Sequence, residues 1–198
     1  MISGAVEGLV DEAVLHRLLE HAGFAAGPIY GKKGKQYLHA KVDAYNQAAR
    51  RLPWVILVDL NHEVDCVPLL RASWLPDPAP MMCFRVAIRE IEAWLLADRE
   101  RFSAFFSVAR SRIPQNAEAT DNPKQTVIDL AKHSRRREIR EEMVPRSGSG
   151  RDVGPAYNSR LIEFVTDTTT GWRPDVAVNH SESLRRCVQC LSRFSTTE

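Results

Sequence analysis

The sequence predicts an α/β fold in which a mostly parallel sheet is flanked by helices and followed by a helical C-terminal appendage. Short apolar runs alternate with helical patterns over the first hundred or so residues, which is typical of βαβ units with right-handed crossovers. From Pro114 onward the chain instead shows helical patterns joined by polar loops. We therefore expect an α/β core over residues 1–113 and a helical extension over residues 114–198, packed together as a single compact unit.

The first quarter of the chain predicts strand, helix, strand and helix in that order. Ile2 to Val6 is a short apolar run, and the i, i+3, i+4 pattern after it predicts a helix that closes at Gly23. Residues 24–31 are apolar and interrupted by glycine and proline, which is consistent with a second short strand. A loop rich in glycine and lysine over residues 31–35 then leads into a helix predicted over residues 37–52.

The clearest strand candidate is the unbroken apolar run from Trp54 to Val58, bounded by Pro53 and Asp59. Such continuity suits a parallel strand that is covered on both faces. A second buried strand is predicted over Met81 to Ile88. The remaining predicted helices cover residues 67–74, 91–102, 126–132, 136–143, 157–165 and 183–191.

Composition narrows the class of protein. The chain has 198 residues, of which 44% are hydrophobic and 26% charged, as expected for a soluble globular domain. No apolar stretch approaches the roughly 20 residues that span a bilayer, and the first 25 residues lack a signal-peptide pattern, so we expect no membrane attachment. The four cysteines are too few and scattered for a disulfide framework, which favours a cytoplasmic location. The formal net charge of +2 does not by itself indicate a nucleic-acid binder.

Acidic side chains follow three of the predicted strands. Glu7 and Asp11 follow the first strand, Asp59 comes directly after the Trp54 run, and Glu92 follows the last strand. In an open α/β sheet, ligands bind beyond the carboxyl ends of the strands, so these acids are expected to converge there. Their mutual repulsion is costly unless a cation lies between them, and Mg²⁺ or Mn²⁺ prefers such oxygen ligands. Further acids near these strand ends are Glu63, Asp65 and Glu90.

Each acid also has a plainer interpretation. Asp11 can cap the helix that follows it, and Glu90 and Glu92 can favour a helix N-terminus. Glu63 and Asp65 can be solvated loop charges. Asp59 is the hardest to explain in this way, because it follows five apolar residues directly.

Two basic segments are candidates for contact with a phosphate backbone. Such contacts need no sequence preference and depend on clustered lysine and arginine. A solvated helix face with i, i+4 ion pairs, such as Arg137 with Glu141, is the alternative for the second segment. The candidate residues are Lys32, Lys33 and Lys35 in the loop, and Arg135, Arg136 and Arg137 later in the chain.

Several segments resemble Toprim domains. Residues 6–11, Val-Glu-Gly-Leu-Val-Asp, resemble the E-G-x-x-D motif that opens Toprim domains of primases, topoisomerases and OLD-type nucleases, and residues 58–61 occupy the place of the Toprim D-x-D. Nearly the full length resembles a bacterial family of small stand-alone Toprim-like proteins. That closer resemblance rests on Arg89–Asp98, Asn122–Lys124, Val153–Tyr157 and Ser181–Leu184.

The resemblance implies roles for individual residues. It implies Glu7 as a metal ligand or general acid/base residue, and Asp11, Asp59 and Glu92 as further acids associated with Mg²⁺ or Mn²⁺. Lys124 is then a candidate for stabilising charge that develops on a transferring phosphate, the alternative being a surface lysine after a helix cap.

One position departs from the motif. The second acid of D-x-D is Asn61 here, so either Glu63 or Asp65 substitutes for it, or the site holds one ion, or activity is reduced. The expected function is a metal-dependent nuclease of Toprim type, in phage defence or DNA or RNA processing. The resemblance also suggests an ABC-type ATPase partner, because members of the OLD-like group are often encoded or fused with such ATPases. The chain has no G-x-x-x-x-G-K-[ST] motif of its own. The alternatives are a non-catalytic subunit that acts as a sensor or regulator, and phosphatase-like chemistry on a small phosphate ester.

Overall fold

The computed structural model describes residues 1–62 and 66–196 of the chain. It contains four strands, all parallel, flanked by helices, which confirms the α/β fold class. The strands are β1 (Ile2–Val6), β2 (Ala26–Gly31), β3 (Trp54–Asp59) and β4 (Met82–Ala87). The helices from the first strand to the fourth are α1 (Leu9–His21), α2 (Lys35–His39), α3 (Val42–Ala48) and α4 (Val67–Trp74).

The part of the chain after β4 is helical, as the sequence predicts. Short 3-10 helices at Arg110–Arg112, Ala117–Ala119 and Arg193–Thr196 accompany the α-helices. The α-helices are α5 (Glu92–Ala97), α6 (Arg99–Phe106), α7 (Pro123–Lys132), α8 (Arg137–Met143), α9 (Tyr157–Thr166), α10 (Pro174–Ala177) and α11 (Glu182–Ser192). No described helix is long and apolar enough to cross a membrane.

The chain divides into two compact units. The first consists of residues 1–89 together with residues 182–198, and the second of residues 90–181. The sheet and α11 therefore belong to the first unit, while α5 through α10 belong to the second. The boundary expected between residues 113 and 114 falls inside the second unit.

The strand order of the sheet is β2-β1-β3-β4. Val6 at the end of β1 lies opposite Leu57 of β3, and Asp59 at the end of β3 lies opposite Ala87 of β4. The chain runs from β1 to β2 on one side and then crosses to β3 on the other side of β1. The carboxyl ends of β1 and β3 thus flank the point where the direction of winding reverses, which is the usual ligand position in such sheets.

The strand β3 is buried along its whole length, as its unbroken apolar sequence predicts. Ile56 and Val58 share one hydrophobic cluster with Leu70 of α4 and Phe84 of β4. This close packing restricts the movement of β3. Asp59, the last residue of the strand, is therefore held in a fixed position.

Two predicted helices are interrupted, and one short helix was not predicted. The helix expected over residues 91–102 breaks at Asp98, whose fully buried carboxylate accepts hydrogen bonds from the backbone N–H of Arg101 and from Arg173. The helix expected over residues 37–52 is divided into α2 and α3 at residues 40–41. The four-residue helix α10 is too short to produce a periodic signal in the sequence.

Candidate metal site

Two acidic residues lie where β1 and β3 end, and the backbone of one contacts the side chain of the other. Glu7 directly follows β1 and is half-buried, and Asp59 is the last residue of β3 and is buried. The backbone N–H of Asp59 donates a hydrogen bond of 2.8 Å to Glu7 Oε1. The parallel register of β1 and β3 therefore brings together two acids that are 52 residues apart in the sequence.

Asp11 lies in the first turn of α1 and is also buried. It is the third residue of that helix, whereas the N-cap position is Gly8, which offers no side chain. A Cβ atom on Gly8 would lie 3.0 Å from Asp11 Oδ2, so the glycine leaves room for the Asp11 carboxylate to lie close to the loop after β1. Asp11 is therefore not the N-cap residue of α1.

The backbone conformation at position 61 favours asparagine. Its φ angle is 54°, in the left-handed region, which asparagine adopts more readily than most residues. Its backbone N–H donates to the carbonyl oxygen of Arg89 at 2.8 Å, and its own carbonyl accepts from Arg89 Nη1 at 2.9 Å. Glu63 and Asp65, the two acids that could substitute for it, lie outside the described residues.

The lysine-rich loop after β2 is bonded to the end of β1. The backbone N–H of Lys32 donates to the carbonyl oxygen of Val6 at 2.9 Å, and that of Gly34 donates to the carbonyl oxygen of Glu7 at 3.0 Å. Gly31 has a φ angle of 90°, and any Cβ there would collide with the Val6 carbonyl oxygen. Glycine at this position thus lets the loop lie directly against Val6, which precedes the first acid of the site.

The three lysines of this loop have different surroundings. Lys35 Nζ reaches the carbonyl oxygen of Leu60 at 3.3 Å, which brings a cation to the end of β3. Lys32 forms an ion pair with Glu12 at 2.8 Å, and Lys33 lies over the ring of Tyr37. Of the three, Lys35 therefore places positive charge at the strand end that carries Asp59, an association that the sequence did not reveal.

Glu92 and Lys124 lie in the second unit, where they contact each other and two further residues. Lys124 Nζ lies 4.0 Å from Glu92 Oε1 and 3.4 Å from Glu90 Oε1, and its backbone N–H donates to Glu90 Oε2 at 2.7 Å. The hydroxyl of Tyr157 donates to Glu92 Oε1 at 3.0 Å. Both Glu92 and Tyr157 are buried.

This second cluster combines three of the segments on which the family resemblance rests. Glu90 and Glu92 come from the first segment, Lys124 from the second and Tyr157 from the third. Sequence reasoning missed Tyr157 as a partner of Glu92, because nothing in the spacing of residues 92 and 157 signals contact. The only sign in the sequence was that both residues lie in segments on which the family resemblance rests.

Two of the three later arginines form ion pairs with glutamates of α8. Arg136 Nε contacts Glu138 at 2.8 Å, and Arg137 Nε contacts Glu141 at 2.7 Å. The second pair is the i, i+4 pair expected if this segment is a solvated helix face. Arg135 is exposed, and phosphate contact by this segment stays a prediction.

Glu7 and Asp59 offer carboxylate oxygens at the ends of β1 and β3. Hard divalent cations prefer such ligands. Among residues 1–62 and 66–196, however, no three His, Cys, Asp or Glu side chains form a group that could hold a metal ion. Mg²⁺ is commonly held by one or two carboxylates, with water and substrate phosphates completing its coordination. Glu7 and Asp59 fit a site of that kind, with Asp11 close to the same loop.

Comparison of the chain with models of protein families, with curated proteins and with solved structures found no match.

Proposed function

We propose that this protein is a Mg²⁺- or Mn²⁺-dependent nuclease of Toprim type. The observation that supports it lies at the reversal point of the sheet, where the backbone N–H of Asp59 donates a 2.8 Å hydrogen bond to the Glu7 carboxylate. A lysine-bearing loop bonded to the same strand end adds positive charge for a phosphodiester backbone.

The residues have separate roles in this proposal. Glu7 and Asp59 hold the cation, and the buried strand β3 fixes the position of Asp59. A bound Mg²⁺ would neutralise charge on the phosphoryl oxygens and polarise the scissile bond. Lys35 and its neighbours in the loop bind the phosphate backbone of DNA or RNA. The proposal also gives Glu92 and Lys124 a role in catalysis. It further includes an ATPase partner.

The second candidate is a non-catalytic subunit that retains the fold and acts as a sensor or regulator of an ATPase. Two observations favour it: no three-residue metal group exists in the described parts of the chain, and Asn61 stands where the motif has its second acid. Under this hypothesis the protein binds a partner or nucleic acid without cleaving it.

The first experiment measures thermal unfolding with and without millimolar Mn²⁺ or Mg²⁺. A ligand of the native state stabilises it by mass action, by about 2.7 kcal/mol when its concentration is 100 times the Kd. We expect the melting temperature of the wild type to rise, and Glu7→Gln and Asp59→Asn to abolish the rise. The control is Glu20→Gln, which removes an exposed carboxylate at the far end of α1 and leaves the rise intact.

Cleavage of single- and double-stranded DNA and RNA in Mn²⁺ then separates the two candidates. A nuclease cleaves as the wild type and fails as Glu7→Gln, while Glu20→Gln remains active. Metal-induced stabilisation combined with nucleic-acid binding and no cleavage would select the non-catalytic subunit. Equal stabilisation of wild type and both site variants would refute the metal site itself.

A further inference from the structure

One edge of the sheet carries a group of aromatic side chains. Tyr30 of the edge strand β2 stacks on Trp54 at the start of β3, with ring centroids 5.7 Å apart and ring planes 19° from parallel. The strand between them, β1, places Ala5 opposite Tyr30, and this small side chain leaves room for the two rings to meet. Trp54 is buried, whereas 47% of Tyr30 is exposed. The indole therefore supports a tyrosine ring that presents much of its surface to solvent.

Two further tyrosines and a lysine lie beside this pair. Tyr45 of α3 stacks on the same indole, with ring centroids 5.1 Å apart. Burial raises the pKa of Tyr45, and the hydroxyls of Tyr37 and Tyr30 raise it further, so the three phenols lie near each other. Lys33 Nζ lies 5.2 Å from the centre of the Tyr37 ring, which is a cation–π contact. Tyr30, Tyr37, Tyr45 and Lys33 thus form one surface, called the tyrosine surface below.

The tyrosine surface is joined to the candidate metal site through the backbone. Tyr30 lies opposite Ala5 in the parallel register, and Ala5 is two residues before Glu7. The loop that carries Lys33 donates hydrogen bonds to the carbonyl oxygens of Val6 and Glu7. Because neighbouring strands lie only about 4.8 Å apart, a polymer that covers Tyr30 also reaches the strand end that precedes Glu7.

We propose that the tyrosine surface binds single-stranded nucleic acid, with a base stacked on Tyr30 and a phosphate on Lys33. Every base has a π face that stacks on an aromatic ring, so such contacts tolerate any sequence. Unpaired bases can be splayed out onto a side chain in this way, whereas bases within a duplex stack on each other. Lys33 is exposed, and its positive charge complements the phosphodiester backbone.

This inference deepens the proposed nuclease function by naming its substrate class, and it rests on that function only for the cleavage step. A strand held on Tyr30 and Lys33 would extend toward Glu7 and Asp59. The substrate would therefore be an unpaired strand of DNA or RNA, and not an intact duplex.

Fluorescence anisotropy with a labelled single strand of about 12 nucleotides, in EDTA, tests binding without cleavage. We expect the full-length wild type to bind single-stranded DNA or RNA saturably, and a duplex of the same length about tenfold more weakly. Tyr30→Leu keeps an apolar side chain over Trp54 but removes the aromatic face, so it should bind the single strand about fivefold or more weakly. Tyr30→Phe keeps the ring and should bind within about twofold of the wild type.

The salt dependence of binding tests the role of Lys33. Each phosphate contact on a single strand contributes about 0.7 to the slope of log K against log salt concentration. Lys33→Gln should therefore lower that slope by about 0.7. The matched control is Arg185→Gln, which removes an exposed positive charge from α11 and should retain the wild-type slope.

Three results would overturn the inference. The first is equal affinity of the wild type for the single strand and the duplex. The second is binding that Tyr30→Leu leaves unchanged. The third is self-association of the wild type that Tyr30→Leu abolishes, without nucleic-acid binding, which would identify the surface as a contact between copies of the chain.

The binding surface and the nuclease function fail separately in these measurements. Binding that depends on Tyr30, without a metal-induced rise of the melting temperature, would support the surface and refute the metal site. A rise that Tyr30→Leu shares with the wild type, without single-strand binding by either protein, would refute the surface and retain the metal site.

Discussion

Asn61 stands at the position where the motif resemblance places a second acid, and its left-handed backbone constrains what can occupy it. Asparagine, aspartate and glycine tolerate such a φ angle, whereas most other residues lose about 1–2 kcal/mol there. The residue is held by two hydrogen bonds to Arg89, one of them to the backbone carbonyl. The backbone geometry therefore permits aspartate at this position, although the sequence has asparagine there.

At the residue scale we predict that Asn61→Asp keeps the fold and strengthens metal binding. Aspartate accepts the same φ angle and supplies a carboxylate two residues after Asp59, at the position of the second acid of D-x-D. Mg²⁺ binds a carboxylate more tightly than an amide. The melting temperature in Mg²⁺ should rise further above its metal-free value than it does for the wild type.

Two further variants of the same residue serve as controls. Asn61→Gly should leave the metal-free unfolding free energy nearly unchanged, and Asn61→Ala should lower it by about 1 kcal/mol because of the left-handed backbone. A smaller metal response in Asn61→Asp than in the wild type would show that residue 61 does not face the metal site.

At the scale of single elements, α11 gives its two cysteines different environments. Cys190 forms a disulfide with Cys83 of β4, while Cys187, one turn earlier, is fully buried. Cys190 is buried as well, so both cysteines belong to the core. Burial raises the pKa of the Cys187 thiol to about 12, against an ordinary value of 9.0.

This raised pKa predicts a loss of stability in alkali. Below pH 9 the thiol is protonated in both the folded and unfolded states, so the full stability is present. As the pH rises from 9 toward 12, the unfolded state ionises first, and the unfolding free energy falls by up to about 1.4 kcal/mol per pH unit. Denaturant unfolding at several pH values measures this slope.

Comparison of two cysteine variants isolates the contribution of Cys187. Cys187→Ala should be less stable at neutral pH, because it leaves a small cavity, but its stability should fall less steeply above pH 9. Cys66→Ala removes an exposed thiol and should retain the wild-type slope. Identical slopes in wild type and Cys187→Ala would refute the assigned environment.

At the scale of the whole molecule, the first unit is assembled from two segments that are distant in the sequence. The Cys83–Cys190 disulfide joins them across 107 residues, with the two Cα atoms 6.0 Å apart. A crosslink over such a length removes much of the conformational freedom of the unfolded chain. The disulfide thus helps to hold α11 on the edge strand β4.

We predict that loss of this disulfide lowers the unfolding free energy by about 2–4 kcal/mol. Cys83→Ser with Cys190→Ser should show this loss, and a reducing agent should produce a similar loss in the wild type. The double variant itself should not respond to the reducing agent. No difference between oxidised and reduced wild type would mean that the bridge contributes nothing to stability.

The sequence alone determined the elements that depend on local patterns. The apolar runs of β1 and β3, the helical period of α1, and the change to helices after β4 were all predicted from the sequence. The position of Asp59 directly after a buried strand also pointed correctly to the end of β3. These features are readable because burial and backbone period act over a few neighbouring residues.

Only the tertiary structure decided which distant residues meet. The register between β1 and β3 brings Glu7 to Asp59, and Gly31 brings the lysine loop to the same strand end. The contacts of Tyr157 with Glu92, and of Cys190 with Cys83, likewise follow from packing between segments that are far apart in the chain. Such contacts leave no periodic trace in one sequence, because their energy arises only after the strands and helices have packed.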